Sequence, residues 1–200
     1  MTDIQRIKED YEKMKVVGKE LVGSFQQGYI GKDTYKVTLA NGKEVIVDTI
    51  TKNKRPGDAA VIVPITEEEK FVMVVQSRPN TRPGVVIEFP AGMVDDGEDP
   101  KVSARRELLE ETGYECDDIY LLEEHYQDQG CSEAVIRMYV ATGCRKVAQQ
   151  KLDSDENLDF VEMEYDEILN LIKNSNVNEF GINDASTKLA FLTYTMKKGD

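Results

Sequence analysis

The run Gly92-Met-Val-Asp-Asp-Gly-Glu98-Asp-Pro100-Lys-Val-Ser-Ala-Arg-Arg106-Glu107-Leu-Leu-Glu110-Glu111-Thr-Gly113-Tyr114 decides how the rest of the chain is read. It predicts a helix from about Pro100 to Thr112. Asp99 can cap the free amides, Pro100 suits the first helical position, and Gly113 suits the left-handed residue that ends a helix. Glu107, Glu110 and Glu111 fall at offsets of three and four, which sets them along one face, with Val102 and Leu109 on the other side. Carboxylates so placed repel one another by about a few kcal/mol per close pair at intermediate dielectric, and Glu98 in the preceding loop adds to this. A cation relieves that repulsion. An all-oxygen, carboxylate-rich set is what Mg²⁺ or Mn²⁺ prefers, and Mg²⁺ commonly shares substrate phosphates, so the pattern predicts phosphate chemistry. Arg106, four residues before Glu110, can brace that carboxylate. The plain alternative is a solvated helix face rich in glutamate.

Taken together, Gly92, Glu98, Arg106, Glu107, Glu110, Glu111 and Gly113 resemble the signature box of the Nudix hydrolases, with all seven polar or glycine positions present. Average residue usage makes those seven identities a chance event on the order of 10⁻⁸ per window, which disfavours the solvated-face alternative. Tyr114 stands where that family often has an aliphatic residue, and it is apolar enough to fill the same place. The resemblance implies a loop–helix–loop that binds divalent cations and hydrolyses a nucleoside diphosphate linked to another group. It implies metal ligation by Glu107 and Glu111, by the carbonyl of Ala91, and by Glu110 as ligand or supporting carboxylate, with Glu98 at the edge of the cluster.

Outward from the helix, strands and helices alternate without the regular βαβ period or Gly-x-Gly-x-x-Gly of a dinucleotide fold, so the expected class is α/β or α+β with a mixed sheet between helices. Residues 1 to about 16 read as a charged helix with Ile4, Ile7, Tyr11 and Met14 as a narrow apolar stripe that docks on something. Residues 35–40 and 43–48 flank Asn41-Gly42, which predicts a hairpin closed by a type I′ turn. A polar breaker at residues 52–57 places a boundary near residue 57, dividing 1–57, a small β-rich segment that begins with the helix, from 58–200. Apolar runs at 59–65 and 71–76, strands near 119–126, 135–142 and Phe160, a loop near 148–157, and helices near 165–174 and 184–197 complete the reading.

Composition narrows the function. The 200 residues exceed what a small disulfide scaffold needs, and no apolar run approaches the roughly 18 to 20 residues of a membrane span. A net charge of −13 disfavours nonspecific attraction to nucleic acid or anionic lipid. The charged start lacks a secretory signal, so a cytoplasmic setting is expected. Cys116, Cys131 and Cys144 lack the close pairing of a zinc or redox motif and read as free thiols. His125 is the one histidine, and its alternating context is structural, which disfavours a Ser-His-Asp triad or a Cys-His pair.

Further segments, among them Val74-Val-Gln-Ser-Arg-Pro79 and Glu88-Phe-Pro-Ala-Gly92, look like the ADP-ribose pyrophosphatase branch of that family, over roughly residues 20 to 197. In that branch N-terminal strands help build a homodimer, which the resemblance therefore implies here. Arg78 and Glu88 match positions near the substrate, and a guanidinium suits a phosphate or a terminal ribose hydroxyl. The loop at 127–133 has Gln129 where many ADP-ribose hydrolases have proline, while Ser132 and Glu133 can contact the distal sugar. A further carboxylate in the loop before the last strand, which positions or deprotonates water in that branch, is available as Asp153, Asp155 or Glu156, with Glu156 favoured because it immediately precedes the strand-like segment. The expected activity is Mg²⁺-dependent hydrolysis of ADP-ribose or a related nucleotide sugar, Mn²⁺ being a possible substitute. The competing expectations are another Nudix substrate class, such as a dinucleoside polyphosphate or oxidised nucleotide, and a non-catalytic nucleotide sensor.

Overall fold

The computed structural model describes residues 2–154 and 156–199. Their elements, in chain order, are α1 (Asp3–Met14), β1 (Val16–Gln27), β2 (Ile30–Leu39), β3 (Glu44–Lys52), β4 (Ala59–Thr66), β5 (Phe71–Ser77), β6 (Val85–Glu88), β7 (Ala91–Met93), α2 (Pro100–Thr112), β8 (Tyr114–Glu115), β9 (Asp118–Tyr126), β10 (Val135–Lys146), β11 (Leu158–Met163), α3 (Tyr165–Lys173) and α4 (Ala185–Lys198). The chain forms two compact units, Met1–Gly57 with Tyr126–Ala134, and Asp58–His125 with Val135–Asp200. No helix among the described residues is long and apolar enough to cross a membrane.

In the first unit β1, β2 and β3 form an antiparallel sheet in that order. The hairpin at Asn41-Gly42 is present, with Thr38 opposite Glu44, but its turn is not type I′. Gly42 has a φ of 84° and Asn41 is not left-handed, while the Gly42 N–H donates to the Leu39 carbonyl and the Leu39 N–H to the Lys43 carbonyl. This is a three-residue loop ending in a left-handed glycine, the next commonest way to close a hairpin. The segment 126–134 is tied to this sheet: Ile50 N–H donates to the Cys131 carbonyl at 2.7 Å, Lys19 pairs with Glu133, and Lys52 Nζ donates to Gln127 at 3.1 Å. α1 begins with a reciprocal Thr2–Gln5 capping box, and its Ile4, Ile7, Tyr11 and Met14 stripe is 63–66% exposed. The helix prediction holds; the docking partner expected for the stripe is not supplied by the described residues.

The second unit is an eight-stranded mixed sheet in the order β11-β5-β4-β10-β8, with β6 paired to β5, β7 to β4 and β9 to β10. β4 and β10 run parallel, which requires a long crossover between them, and the crossover carries α2. Because β4 is covered on both faces, it reads as a nearly continuous apolar run. Ala60 and Ile62 face Ala104 and Leu108 of α2, whereas Val61, Val63 and Ile65 share a cluster with Ile168 of α3 and Ala190 and Phe191 of α4. The rings of Phe71, Phe191 and Tyr194 lock the second layer, with centroids 5.5 and 5.8 Å from Phe71 in edge-on geometry. The result is the expected mixed α+β sandwich. β1 and the short β6, β7 and β8 had no place in the sequence reading, and β10 runs on to Lys146 rather than ending near 142.

Candidate active site

Acidic side chains converge in the second unit because its sheet opens. β4 and β5 share the rung Ile65 opposite Phe71 and then separate, β6 staying with β5 and β7 with β4. The link Phe89-Pro90 crosses the gap, so Glu88 remains on the β5 side while Ala91 and Gly92 are delivered to the β4 side. The crossing is pinned: Pro90, which has no N–H to leave unpaired, accepts from Ile62 N–H at 2.9 Å, and Phe89 N–H donates to the buried Thr187 hydroxyl of α4 at 3.1 Å.

α2 packs against β4 and β7 with the ends its sequence specifies. Asp99 accepts from Lys101 N–H at 2.8 Å, and Gly113, at φ 71°, donates its N–H to the Leu109 carbonyl at 2.8 Å. Its buried residues are Ser103, Ala104, Glu107, Leu108, Glu111 and Thr112. The glutamate face is therefore the inward face, and the opposite side, with Val102 at 54% exposure, is the one in solvent. Gly92 makes room for this: a Cβ there would overlap the Glu107 carboxylate. Glu111, 2% exposed, accepts from Ala91 N–H at 3.1 Å.

Arg106 organises the other carboxylates. Its Nη1 donates to Glu107 at 2.7 Å and to Glu110 at 3.2 Å, its Nε and Nη2 donate to Glu98 at 3.2 and 3.1 Å, and Nη2 also reaches the Met93 carbonyl at 3.2 Å. The bracing of Glu110 foreseen from spacing is one contact of five. Hydrogen bonds from Arg106 and then Ser103 hold the Glu98 carboxyl down at about 2. Burial acts the other way on the inner pair. It is the main cause that raises Glu107, with Glu110 and Glu156 adding to it and Arg106 opposing. Glu111 is pushed up to about 9, first by burial, then by the Glu107 charge, with Glu88 and Glu156 adding smaller contributions and the Ala91 N–H opposing. Among the described residues Glu111 forms no ion pair.

Of the other expected site residues, Arg78 forks onto Glu88 through Nε at 3.1 Å and Nη2 at 2.9 Å, and burial raises the Glu88 carboxyl in spite of it. Glu156 is close enough to be felt by Glu107 and Glu111, and accepts from Asp153 N–H at 2.8 Å. Asp155 lies outside the described residues. Ser132 and Glu133 fall in the first unit, where Glu133 is paired with Lys19 and the Ser132 hydroxyl accepts from Ala134 N–H. Tyr114 is buried, stacked edge-on against Phe160 and bonded through its hydroxyl to Glu162.

Three positioning features went unread in the sequence. Lys146 donates to the Thr112 carbonyl, Gln150 to the Glu111 carbonyl and Lys151 N–H to the Glu110 carbonyl, so the loop that carries Glu156 is fastened to the α2 C-terminus. The Thr187 hydroxyl of α4 holds the backbone beside Glu88. Gln76 is buried on β5 near Glu88. Nothing local marked any of the three, since Lys146 and Gln150 reach the α2 end from 34 and 39 residues further along the chain.

Among the described residues no three His, Cys, Asp or Glu side chains stand close enough together to hold a metal ion as they are. The donor chemistry nevertheless fits a hard divalent cation. Glu107 and Glu111 offer oxygen donors inside the protein, where burial destabilises both charges and Arg106 offsets only that of Glu107. Such a centre either takes up protons or takes up a cation.

Residues 55–180 match the family model described as the NUDIX domain. A methanol dehydrogenase activator of Bacillus methanolicus is 43% identical over 142 residues, 70% of this chain and 74% of that protein. The ADP-ribose pyrophosphatase of Bacillus subtilis (strain 168) is 30% identical over 186 residues, 92% of this chain and 94% of that protein. A crystal structure described as an ADP compounds hydrolase matches with a TM-score of 0.73 over 94% of this chain and 95% of its own, at 19% identity, a likeness of fold.

Proposed function

Because the chain belongs to the NUDIX domain family, we propose that it is a divalent-metal-dependent pyrophosphohydrolase that splits ADP-ribose, or a related nucleoside diphosphate sugar, into a nucleoside monophosphate and a sugar phosphate. The observation that carries this reading is Glu111, buried on the inward face of α2 beside Glu107 and pushed up to about 9 by that burial and then by the Glu107 charge. The relatives named for ADP-ribose and ADP-sugar hydrolysis, from Bacillus subtilis and Mus musculus, support the substrate class.

Glu107, Glu111, Glu110 and the Ala91 carbonyl would hold the cation, Mg²⁺ by preference and Mn²⁺ as a substitute. When bound, it supplies Lewis acidity and offsets charge on the phosphoryl oxygens. The residues of the chain do the rest. Arg106 keeps Glu107 and Glu110 oriented through Nη1 and holds Glu98 with Nε and Nη2, leaving Glu111 for the cation. Arg78, held in plane by Glu88, presents its remaining N–H groups to a phosphate or ribose. Glu156, on a loop fastened to the α2 end, takes the proton of the attacking water. For ADP-ribose the products are AMP and ribose 5-phosphate. Chromatography of a nucleoside diphosphate panel incubated with Mg²⁺, with and without chelator, tests this: chelator-sensitive AMP and ribose 5-phosphate support it, and release from dinucleoside polyphosphates or oxidised nucleotides alone overturns the substrate class.

A second reading is favoured by one finding, the 43% identical relative described as an activator of methanol dehydrogenase. In that reading the chain senses a nucleotide and regulates a partner enzyme. Tight nucleotide binding with no turnover in Mg²⁺ or Mn²⁺ selects it. We also propose a homodimer in a cytoplasmic setting. Exposed Ile7, Tyr11, Leu21, Phe25 and Ile46 in the first unit support an intersubunit surface, and three free thiols suit a reducing compartment. Light scattering at micromolar concentration checks the dimer.

A further inference from the structure

Gln76 sits near the end of β5, 6% exposed, and its side-chain Oε1 is buried without a hydrogen-bond partner. Buried amide oxygens are nearly always satisfied, so an orphan calls for a physical reason. Directly opposite Gln76 stand Val86 on β6 and Leu158 on β11, neither of which offers a side-chain donor. Paired residues of antiparallel strands share a face, so Gln76 lies on the same side of the sheet as Glu88, which is opposite Val74. That side is the α2 side, because Val72 and Phe160 of the same face belong to the cluster that contains Ala104 and Leu108. Glu88, on that same face, is close enough to be felt by Glu111.

An ionised carboxylate cannot satisfy an acceptor, and the Arg78 guanidinium, two residues further along the chain, already forks onto Glu88. A bound ligand can bring the missing donor. Ionised phosphates carry acceptors only, so the diphosphate cannot provide it; a hydroxyl on the sugar attached to the diphosphate can. We propose that Gln76 is a specificity-determining residue whose Oε1 accepts a hydrogen bond from a hydroxyl of that sugar, so that the site distinguishes a nucleoside diphosphate sugar from the bare nucleoside diphosphate. The inference rests on the hydrolase reading above and names the group within the substrate that is recognised.

Gln76→Met keeps length and flexibility and removes the amide. Calorimetric titration of the full chain with the α,β-methylene analogues of ADP-ribose and of ADP reads binding without turnover. The variant is expected to lose about 10- to 100-fold in affinity for the sugar-bearing analogue and to keep its affinity for the ADP analogue, since a site built to bond a hydroxyl is the one that notices its loss. Its Tm should match or exceed that of the wild type, because the amide oxygen it removes had no partner. Equal affinity of variant and wild type for the sugar-bearing analogue overturns the inference, as does a fall in kcat with both affinities unchanged, which would assign the amide to the attacking water. A markedly lower Tm also overturns it, by making the amide structural. If the wild type hydrolyses ADP-ribose and Gln76→Met discriminates as well as it does, the inference fails alone. If the wild type releases no AMP from ADP-ribose, the hydrolase reading has failed and the inference falls with it.

Discussion

Replacing Glu111 by glutamine should separate stability from function. The carboxyl titrates near 4.5 in an unfolded chain and near 9 in the fold, so between those values the folded state holds a proton that the unfolded state has released. A raised folded value gives stability that is complete below 4.5 and is lost as pH rises towards 9, at up to about 1.4 kcal/mol per pH unit. At pH about 7.5 the metal-free protein then carries a penalty bounded by on the order of 4 kcal/mol, which relaxation and water entry reduce to roughly 1–2 kcal/mol. The substituted amide has nothing to ionise, and its oxygen can keep the bond from Ala91 N–H. In chelator at pH about 7.5 the Glu111→Gln variant should melt above the wild type by about 2–8 °C. The gap should shrink towards pH 5.5 and widen towards pH 9. Adding Mg²⁺ should raise the wild-type Tm more than that of the variant, because a cation that binds only the folded state stabilises by mass action. Turnover of ADP-ribose by the variant should fall at least about 100-fold. Calorimetric melting across pH with a parallel product assay is the check. Near-normal turnover, or a lower Tm in chelator at every pH, refutes the reasoning.

Gly92→Ala places a methyl where the Glu107 carboxylate lies; because Gly92 has no left-handed φ, Tm should change little while kcat drops by about tenfold or more, read by steady-state kinetics. Arg106→Ala strips the shared partner from Glu98, Glu107 and Glu110 and should lower stability by about 2–3 kcal/mol in denaturant titration. Glu98 is depressed to about 2, so its contribution is present above 4.5 and is lost as pH falls through 2; that acid limb should be flatter in the Arg106 variant. Asp99→Ala removes the α2 cap and should cost about 1 kcal/mol without changing metal dependence. Among Asp153→Ala, Asp155→Ala and Glu156→Ala, the last should slow turnover most; if none does, the base lies within α2.

α2 was legible from its own residues because cap, first-turn proline and terminal glycine act locally, and the structure reproduces Pro100–Thr112. The Asn41-Gly42 hairpin was legible for the same reason, although the three-residue loop shows that a dipeptide fixes a reversal more firmly than a turn type. β1 was not, because Gly18, Lys19, Glu20 and Gly23 interrupt its apolar pattern and its extended form is imposed by pairing with β2. The short β6 and β7 exist only because β4 and β5 part company, which no local pattern encodes. The glutamate spacing placed three carboxylates on one face but not that this face would turn inward, where Gly92 leaves the space that Glu107 fills. Gln76 sits in an ordinary strand sequence and becomes conspicuous only when its buried oxygen is found unpaired.

The proposed chemistry requires the α2 carboxylates to gather a cation around a diphosphate. Crystals grown with Mn²⁺ and α,β-methylene ADP-ribose, with data collected at the manganese edge, measure that directly. Anomalous peaks about 2.1–2.3 Å from Glu107 and Glu111 oxygens and from the analogue's phosphates are the expected result. A bound analogue with no peak there, and both carboxylates turned to bulk water, would contradict it.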